Sequence, residues 1–365
     1  EFLTESAYFR GEAMRAAAFR GLAKTLAAAY VQHVVEYNPL APRLLRADFG
    51  FPNPDNIYLA TPLDDAGSYR VFGRIGTANQ TFFSLYQSTP EGSGLAGARV
   101  RAEQLVRGPA GDFELWMTRE RRPDHTNWLP LEPGTTSMSI YQIFADWDRE
   151  TKGWFGIERV DTAGCAPELA TQEELARRLR ALAATVGARL RYWQQIDDRV
   201  AKGAAKNEAA QAYRNSVSSL DIYFSPGLWA IGEDEALIVE FEPPAEASYW
   251  GFSVSDFWSE PLDYLNRQGS LNCAQARRDG DGRFRLVLAH RDPGVPNWID
   301  IAGHPEGIFN WRVTTTRIQD RPTTRLLRFD ALRQHLPAET PSISGAQRRE
   351  SIRARQRHAQ YRYSL

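Results

Sequence analysis

Phrases of one kind recur along this chain in the same order, and that recurrence limits the fold more than any other feature. Asp55-Asn-Ile-Tyr-Leu-Ala60, leading to Ser68-Tyr-Arg-Val-Phe72, has a counterpart in Glu235-Ala-Leu-Ile-Val-Glu240, leading to Ser248-Tyr-Trp-Gly-Phe252, at a constant offset of 180. Gly111-Asp-Phe-Glu-Leu115 matches Gly282-Arg-Phe-Arg-Leu286, and Asn127-Trp-Leu-Pro-Leu131 matches Asn297-Trp-Ile-Asp-Ile301 at an offset of 170. Three anchors in one order predict an internal duplication, with accidental recurrence of aromatic strand phrases as the alternative. Alternation such as Phe284, Leu286, Leu288 puts one side of a strand into a core. Two such units predict a mainly β, α+β chain with two tandem jelly-roll-like β-sandwich lobes, rather than βαβ units.

The segments around the repeats read as helices. Residues from Thr4 to about Tyr37 are Ala- and Leu-rich, with Phe9, Met14, Phe19 and Leu22 at helical spacing and Pro39 and Pro42 closing the run. Thr171-Gln-Glu-Glu174 is a capping box opening a helical stretch to about Arg214, with Gly187 and Gly203 as breaks. The expected organisation is a helical segment over 1–47, a first β-lobe over 48–165, a helical connection over 166–220, a second lobe over 221–330 and an arginine-rich tail over 331–365. That tail reads as a partner-packed or exposed helix, or else as a nucleic-acid arm. Ala-rich helices with apolar stripes predict a homo-oligomer formed through the helices and tail.

A chain of 365 residues suits two cores, and 42% apolar content with 12% aromatics excludes a disordered chain. Its 44 basic and 45 acidic residues leave a net charge of −1, so no nucleic-acid or membrane partner is expected. No apolar run is long enough to span a bilayer, and with no secretory h-region at the start the expected location is cytoplasmic. Cys165 and Cys273 lack a C-x-x-C partner and read as buried free thiols. Lysine occurs only at 24, 152, 202 and 206, in helical or loop texture, which argues against a Schiff-base lysine. No Gly-x-Ser-x-Gly, P-loop, Rossmann or His-Glu-x-x-His pattern occurs.

Ser248-Tyr-Trp-Gly-Phe252, Ser270-Leu-Asn272 and the run from Ala289 through His290-Arg-Asp-Pro-Gly-Val-Pro-Asn-Trp298 to Gly303-His304 resemble the bacterial domain of unknown function 1214 family. Phe51-Pro-Asn-Pro-Asp-Asn-Ile-Tyr58 is similar to the opening of its usual partner, domain of unknown function 1254. The resemblance covers about Ala236 to Arg317 well and Asp48 to Trp147 loosely. It implies tandem jelly-roll-like lobes and no common activity.

Candidate chemistry sits in two places. His290, Arg291 and Asp292 end a strand, where a group titrating near neutrality and an anion-holding guanidinium suit acid–base work. The structural alternative has Asp292 capping the Pro-Gly turn, Arg291 paired with it and His290 packed. By strict alternation His290 shares the core side with Leu288, so exposing it to a cavity requires a bend at the strand end. Asp55 and Tyr58 form the second cluster, as a general base and a hydrogen-bonding phenol, with Asn53 and Asn56 also serving the turn. Tyr249 joins the candidate acid–base set. Arg291, Trp250, Trp298, His304, Trp311 and Asn56 are the expected substrate contacts, and aromatic walls of this kind serve sugars, terpenoids and steroid-like molecules. His290, His304 and Asp292 lack a compact metal signature, so no metal and no cofactor is expected. The expected function is a cofactor-independent lyase, hydratase or isomerase acting on a small organic molecule. The alternative is a non-catalytic protein binding a carbohydrate or a hydrophobic ligand.

Overall fold

The computed structural model describes residues 4–35, 38–47, 52–89, 92–166, 169–214, 221–315, 317–318 and 320–363. Phe51, which opens the phrase similar to the partner domain, lies outside the described residues, as do the expected lobe boundaries at Asp48 and Leu220. The chain is mainly β and forms two lobes.

The first lobe holds β1 (Leu45–Arg46), β2 (Asn56–Pro62), β3 (Tyr69–Arg74), β4 (Gln80–Thr89), β5 (Gly92–Arg101), β6 (Asp112–Thr118), β7 (Trp128–Pro130), β8 (Ser137–Ile143) and β9 (Trp154–Arg159). They form a five-stranded sheet, β1-β2-β8-β4-β5, facing a four-stranded sheet, β7-β6-β3-β9. The second lobe holds β10 (Tyr213–Arg214), β11 (Ile222–Ala230), β12 (Glu235–Phe241), β13 (Tyr249–Ser255), β14 (Ser270–Asn272), β15 (Phe284–Ala289), β16 (Trp298–Asp300), β17 (Glu306–Thr314) and β18 (Thr323–Arg328). Its sheets are β10-β11-β17-β13-β14 and β16-β15-β12-β18. The two orders are the same, strand for strand. In each lobe the short strand beginning at the repeated tryptophan pairs in parallel, β7 with β6 and β16 with β15.

Two of the three repeat anchors therefore mark equivalent places. Asn127 exchanges bonds with the backbone of Val106, and Asn297 does the same with Arg277. Trp128 donates its indole N–H to the Thr118 carbonyl, as Trp298 does to that of Ala289. The first anchor is corrected. Ser68-Tyr-x-x-Phe72 enters β3, between β6 and β9, whereas Ser248-Tyr-x-x-Phe252 enters β13, between β17 and β14. Tyr69 and Phe72 thus correspond to β12, not to Tyr249 and Phe252. Aromatic alternation suits any strand with one face in a core, so the phrase recurs one strand out of step.

Each sandwich closes on its alternating apolar residues. Val71, Phe83, Leu115, Met117 and Ile140 meet in the first lobe, with 0% exposure each. In the second, Phe241, Trp250, Phe284 and Trp311 pack with ring centroids 4.7–5.8 Å apart.

Helix α1 (Gly11–Tyr30) begins later than the expected Thr4 and continues through a π-helical turn to Val35, its expected end near Tyr37 lying outside the described residues, and α2 (Gln172–Gly203) passes Gly187 unbroken. Thr171 accepts from the Glu174 amide as expected, but the Glu174 carboxylate pairs with Arg177 and Arg178. The helices are joined by Gln32–Arg189 and His33–Thr185 contacts and dock on the second lobe through Met14, Val200, Phe257 and Ile308. Helix α3 (Gly345–Tyr363) runs from the β15–β16 loop of the second lobe to the first lobe. Arg348, Arg355 and Arg362 are buried along it, so the tail is neither a free arm nor an exposed helix. Cys165 is exposed and Cys273 half-buried, a correction to the expected buried pair. Among the described residues no helix is long and apolar enough to cross a membrane.

Where α2 meets the second lobe, two carboxylates are shut away from water. Asp197 accepts from the Ser259 hydroxyl at 2.9 and 3.0 Å, and Ser259 holds a left-handed φ of 57° to reach it. Asp256 Oδ1 accepts from the Trp258 and Glu260 amides, while its Oδ2 lies 3.5 Å from the exposed Arg20 guanidinium. Burial pushes the Asp197 carboxyl well up, and it raises Asp256 from 3.8 to about 6. The folded Asp256 holds its proton more tightly than the unfolded chain does. Its contribution to stability is therefore full below the ordinary carboxyl value and is lost as pH rises through about 6. That shift corresponds to at most roughly 3 kcal/mol. Asp256→Asn keeps the Oδ1 acceptor and is expected to flatten the rise in stability between pH 7 and pH 4. Urea denaturation across that range checks this, and an unchanged pH slope in the variant counts against it.

Candidate functional site

The residues picked out by sequence separate into two groups. Asp55, Asn56, Tyr58 and Tyr249 come together where the lobes meet. Asp55 is 2% exposed, and both of its oxygens accept hydrogen bonds. Tyr249 donates its hydroxyl to Oδ2 at 2.5 Å, while the Trp147 indole N–H and the Asn272 amide donate to Oδ1 at 2.8 Å each. Asn53 donates to the Tyr249 oxygen at 2.9 Å. Of the three donors to Asp55, Trp147 comes from the first lobe and Tyr249 and Asn272 from the second, so the carboxylate is a clasp between them.

Local chemistry aims each donor. Asn272 ends β14 and accepts the Ala274 and Gln275 amides on its Oδ1, leaving its NH2 turned to Asp55. Asn53 accepts the Asp55 amide in the same manner, leaving its NH2 for Tyr249. Tyr58 accepts from the Asn53 backbone and the Asn56 side chain, which fixes the turn. Gly251 lies beside Tyr249 on β13, and a Cβ there would stand 2.2 Å from the Tyr249 hydroxyl. Only glycine lets the phenol reach across. Burial raises the Asp55 carboxyl against the pull of Tyr249, and burial beside Asp55 pushes the Tyr249 phenol well up. The proton stays on the phenol.

The second group stays apart from Asp55. His290 is half-buried and its Nε2 lies 2.9 Å from the Ile231 carbonyl oxygen. Asp292 caps its turn at Gly294 and pairs with Arg348, whereas Arg291 pairs with Asp234 over the Phe329 ring. This is the structural alternative, with Arg348 rather than Arg291 on Asp292. The strand end bearing His290 is engaged by a backbone oxygen, not by a carboxylate. Trp250 and Trp311 belong to the second core, Trp298 is 8% exposed under Arg348, and His304 is half-buried in a loop with burial holding its imidazole below the usual range. No group of three metal-binding side chains occurs among the described residues.

Open space lies elsewhere, on the outer face of the first lobe's four-stranded sheet. A groove of about 640 Å³ runs over β3, β6 and β9, between the loops at 106–108 and 124–127. The outward positions are Arg70, Phe72 and Arg74 on β3, Asp112, Glu114 and Trp116 on β6, and Trp154 on β9. Trp154 is 63% exposed and meets Phe72 edge-on at 5.8 Å. Trp116 lies flat on His125 at 4.5 Å. Gly156, opposite Phe72, leaves room for that ring, since a Cβ would stand 2.7 Å from it. Arg70 lies between the Phe72 and Trp116 rings, holding Glu114 at 2.8 Å and Glu158 at 2.9 Å. Sequence reasoning passed over these residues although they alternate cleanly with the core positions Val71, Leu115 and Met117.

The duplication supplies a comparison within the molecule. The same face of the second lobe presents Ala236, Ile238, Val287 and Ala289, and Leu332 of the 329–335 turn covers it with Phe329 and Leu336. One copy has filled its outer face with its own chain, and the other leaves it open.

No family model matches the chain, and no curated protein matches it. A solved uncharacterised protein from Burkholderia cenocepacia is similar at 27% identity, with a TM-score of 0.83 over 90% of this chain and 93% of that one. A Vibrio parahaemolyticus protein shares the fold at 10% identity and a TM-score of 0.51, over 84% of this chain and 96% of that one.

Tyr249→Phe strips Asp55 Oδ2 of its donor and Asn53 of its acceptor. It is expected to cost about 1–3 kcal/mol of stability, read from urea midpoints. An unchanged midpoint would mean that the clasp does not hold the lobes.

Proposed function

We propose that the protein binds a saccharide, or a ligand of saccharide-like chemistry, in the groove of the first lobe. The observation that carries this is the outward face of β3, β6 and β9. It carries Phe72, Trp116 and the exposed Trp154 beside charges of both signs, in a space of about 640 Å³. Aromatic faces stack on the C–H side of sugar rings, and flanking carboxylates and guanidinium groups bond the hydroxyls. Arg70 is neutralised by Glu114 and Glu158, while Arg74 and Arg107 share the rim with Asp112 and Asp124. A site of mixed charge suits a neutral polyhydroxylated ligand better than an ion. Binding, rather than turnover, fits a face with no paired acid and base converging on one point.

The acid–base reading has one observation in its favour, the 2.5 Å bond between Tyr249 and Asp55. Against it, the pair is buried and each of its oxygens is already engaged within the protein. Self-association through the helices draws support from the exposed Phe19, Leu26 and Tyr30 of α1 and Leu175 and Leu179 of α2.

Titration calorimetry against a panel of neutral and acidic oligosaccharides tests the proposal. Trp154→Ala is expected to weaken the bound oligosaccharide about tenfold or more, which is about 1.4 kcal/mol, with the melting temperature unmoved. Failure of the whole panel to bind, or equal binding by the variant, would overturn it.

A further inference from the structure

Along α3, Arg348, Arg355 and Arg362 recur every seven residues and turn inward together. The first two are bonded at their guanidinium ends. Arg348 binds Asp292, the Gln268 side chain and the Val295 carbonyl, and Arg355 binds the backbone and hydroxyl of Ser270 and the Tyr264 carbonyl. Arg362 is not. It is 2% exposed, yet none of its three guanidinium nitrogens has a hydrogen-bond partner. One turn earlier, His358 is 5% exposed and its Nε2 is also without a partner. Both face one indole: the Arg362 guanidinium carbon lies 4.6 Å from the Trp147 ring centroid, and the His358 ring stacks on it at 4.9 Å.

A guanidinium carries five N–H donors, and shutting them from water without an acceptor is costly. Stacking on Trp147 and Tyr363 offsets part of that cost but accepts none of the hydrogens along the N–H directions. Asp55 supplies opposite charge, but its oxygens are already taken by Tyr249, Trp147 and Asn272. Charge is therefore compensated here while hydrogen bonding is not.

We infer that the end of α3, against Trp147, is a closed binding site for a small oxyanion, with Arg362 as its anchor. The fork of a guanidinium matches two oxygens of a carboxylate or phosphate. Arg355, whose guanidinium carbon is 5.2 Å from the same indole, adds to the positive field. The site is separate from the aromatic groove and does not rest on its occupancy.

The test is calorimetric titration of the whole chain with inorganic phosphate and, separately, acetate, at fixed ionic strength against chloride. One phosphate or acetate per chain is expected, and which of the two binds tells a phosphate site from a carboxylate site. Arg362→Gln should weaken that binding tenfold or more. Arg353→Gln, an exposed position on the same helix paired with Glu350, should leave it unchanged. If Arg362→Gln does not fold, the wild-type titration decides, supported by Arg362→Lys, which keeps the charge, loses the fork and should weaken binding severalfold. Absence of saturable binding by both anions, or equal binding by a folded Arg362→Gln, overturns the site.

Discussion

One buried carboxylate organises the contact between two lobes that each have a complete core of their own. Asp55 belongs to the first lobe, and the groups that bind its oxygens come from both, with Trp147 on one side and Tyr249 and Asn272 on the other. A carboxylate out of water needs donors on its oxygens, and here three supply them. The consequence is positional. Tyr249 reaches Asp55 only across Gly251, and Asn272 is aimed only because its own turn takes its oxygen. The relative placement of the sandwiches therefore follows from directional bonds. Phe82, Ile143 and Ala145, packed around the Tyr249 ring, add contact area but no register.

Duplication freed the outer faces to diverge. Both lobes bury the same inner faces and keep the same hinge between long and short strands, as the asparagine–tryptophan pairs show. In the second lobe the outer face became apolar at Ile238 and Val287 and acquired a cover from the chain that follows β18. In the first, the corresponding strands carry Arg70, Phe72, Glu114 and Trp116, and no segment among the described residues lies over them. An apolar face left bare would invite aggregation, whereas a face of aromatic planes tied down by ion pairs does not. Arg70 holds the Glu114 and Glu158 carboxylates in place, so on the proposed reading the face is ordered before a ligand arrives.

What was legible in the sequence follows the reach of each interaction. The Asn127 and Asn297 anchors were readable because their side chains bond to nearby backbone, so the local phrase carries its own structural reason. Ser-Tyr-x-x-Phe misled because alternation records only that one face is buried and does not say which strand it belongs to. Asp55 and Tyr249 were both picked out, but not their union, since a bond over 194 residues leaves no local trace. Tryptophan was ambiguous in the same way: Trp250 and Trp311 are core, Trp154 is exposed, and composition ranks them alike. The His290 strand end looked chemical because its residue types are, yet its polar groups are spent on a turn, a backbone oxygen, Asp234 and the tail helix.

That tail helix is held in an unusual way. Its buried positions are Arg348, Arg355, His358, Ala359 and Arg362, so it has almost no apolar stripe to dock with. Charge-assisted hydrogen bonds take the place of hydrophobic burial, and such bonds stabilise only while every desolvated donor finds an acceptor. At the first arginine a carboxylate, an amide and backbone carbonyls supply them; at the second, a hydroxyl and carbonyls do. At the third, the protein offers aromatic faces and the charge of Asp55 but no oxygen. The grip of the strap therefore declines from the second lobe towards the first. Its last turn, resting on Trp147 beside the carboxylate that joins the lobes, is the part whose attachment depends most on what else is bound there.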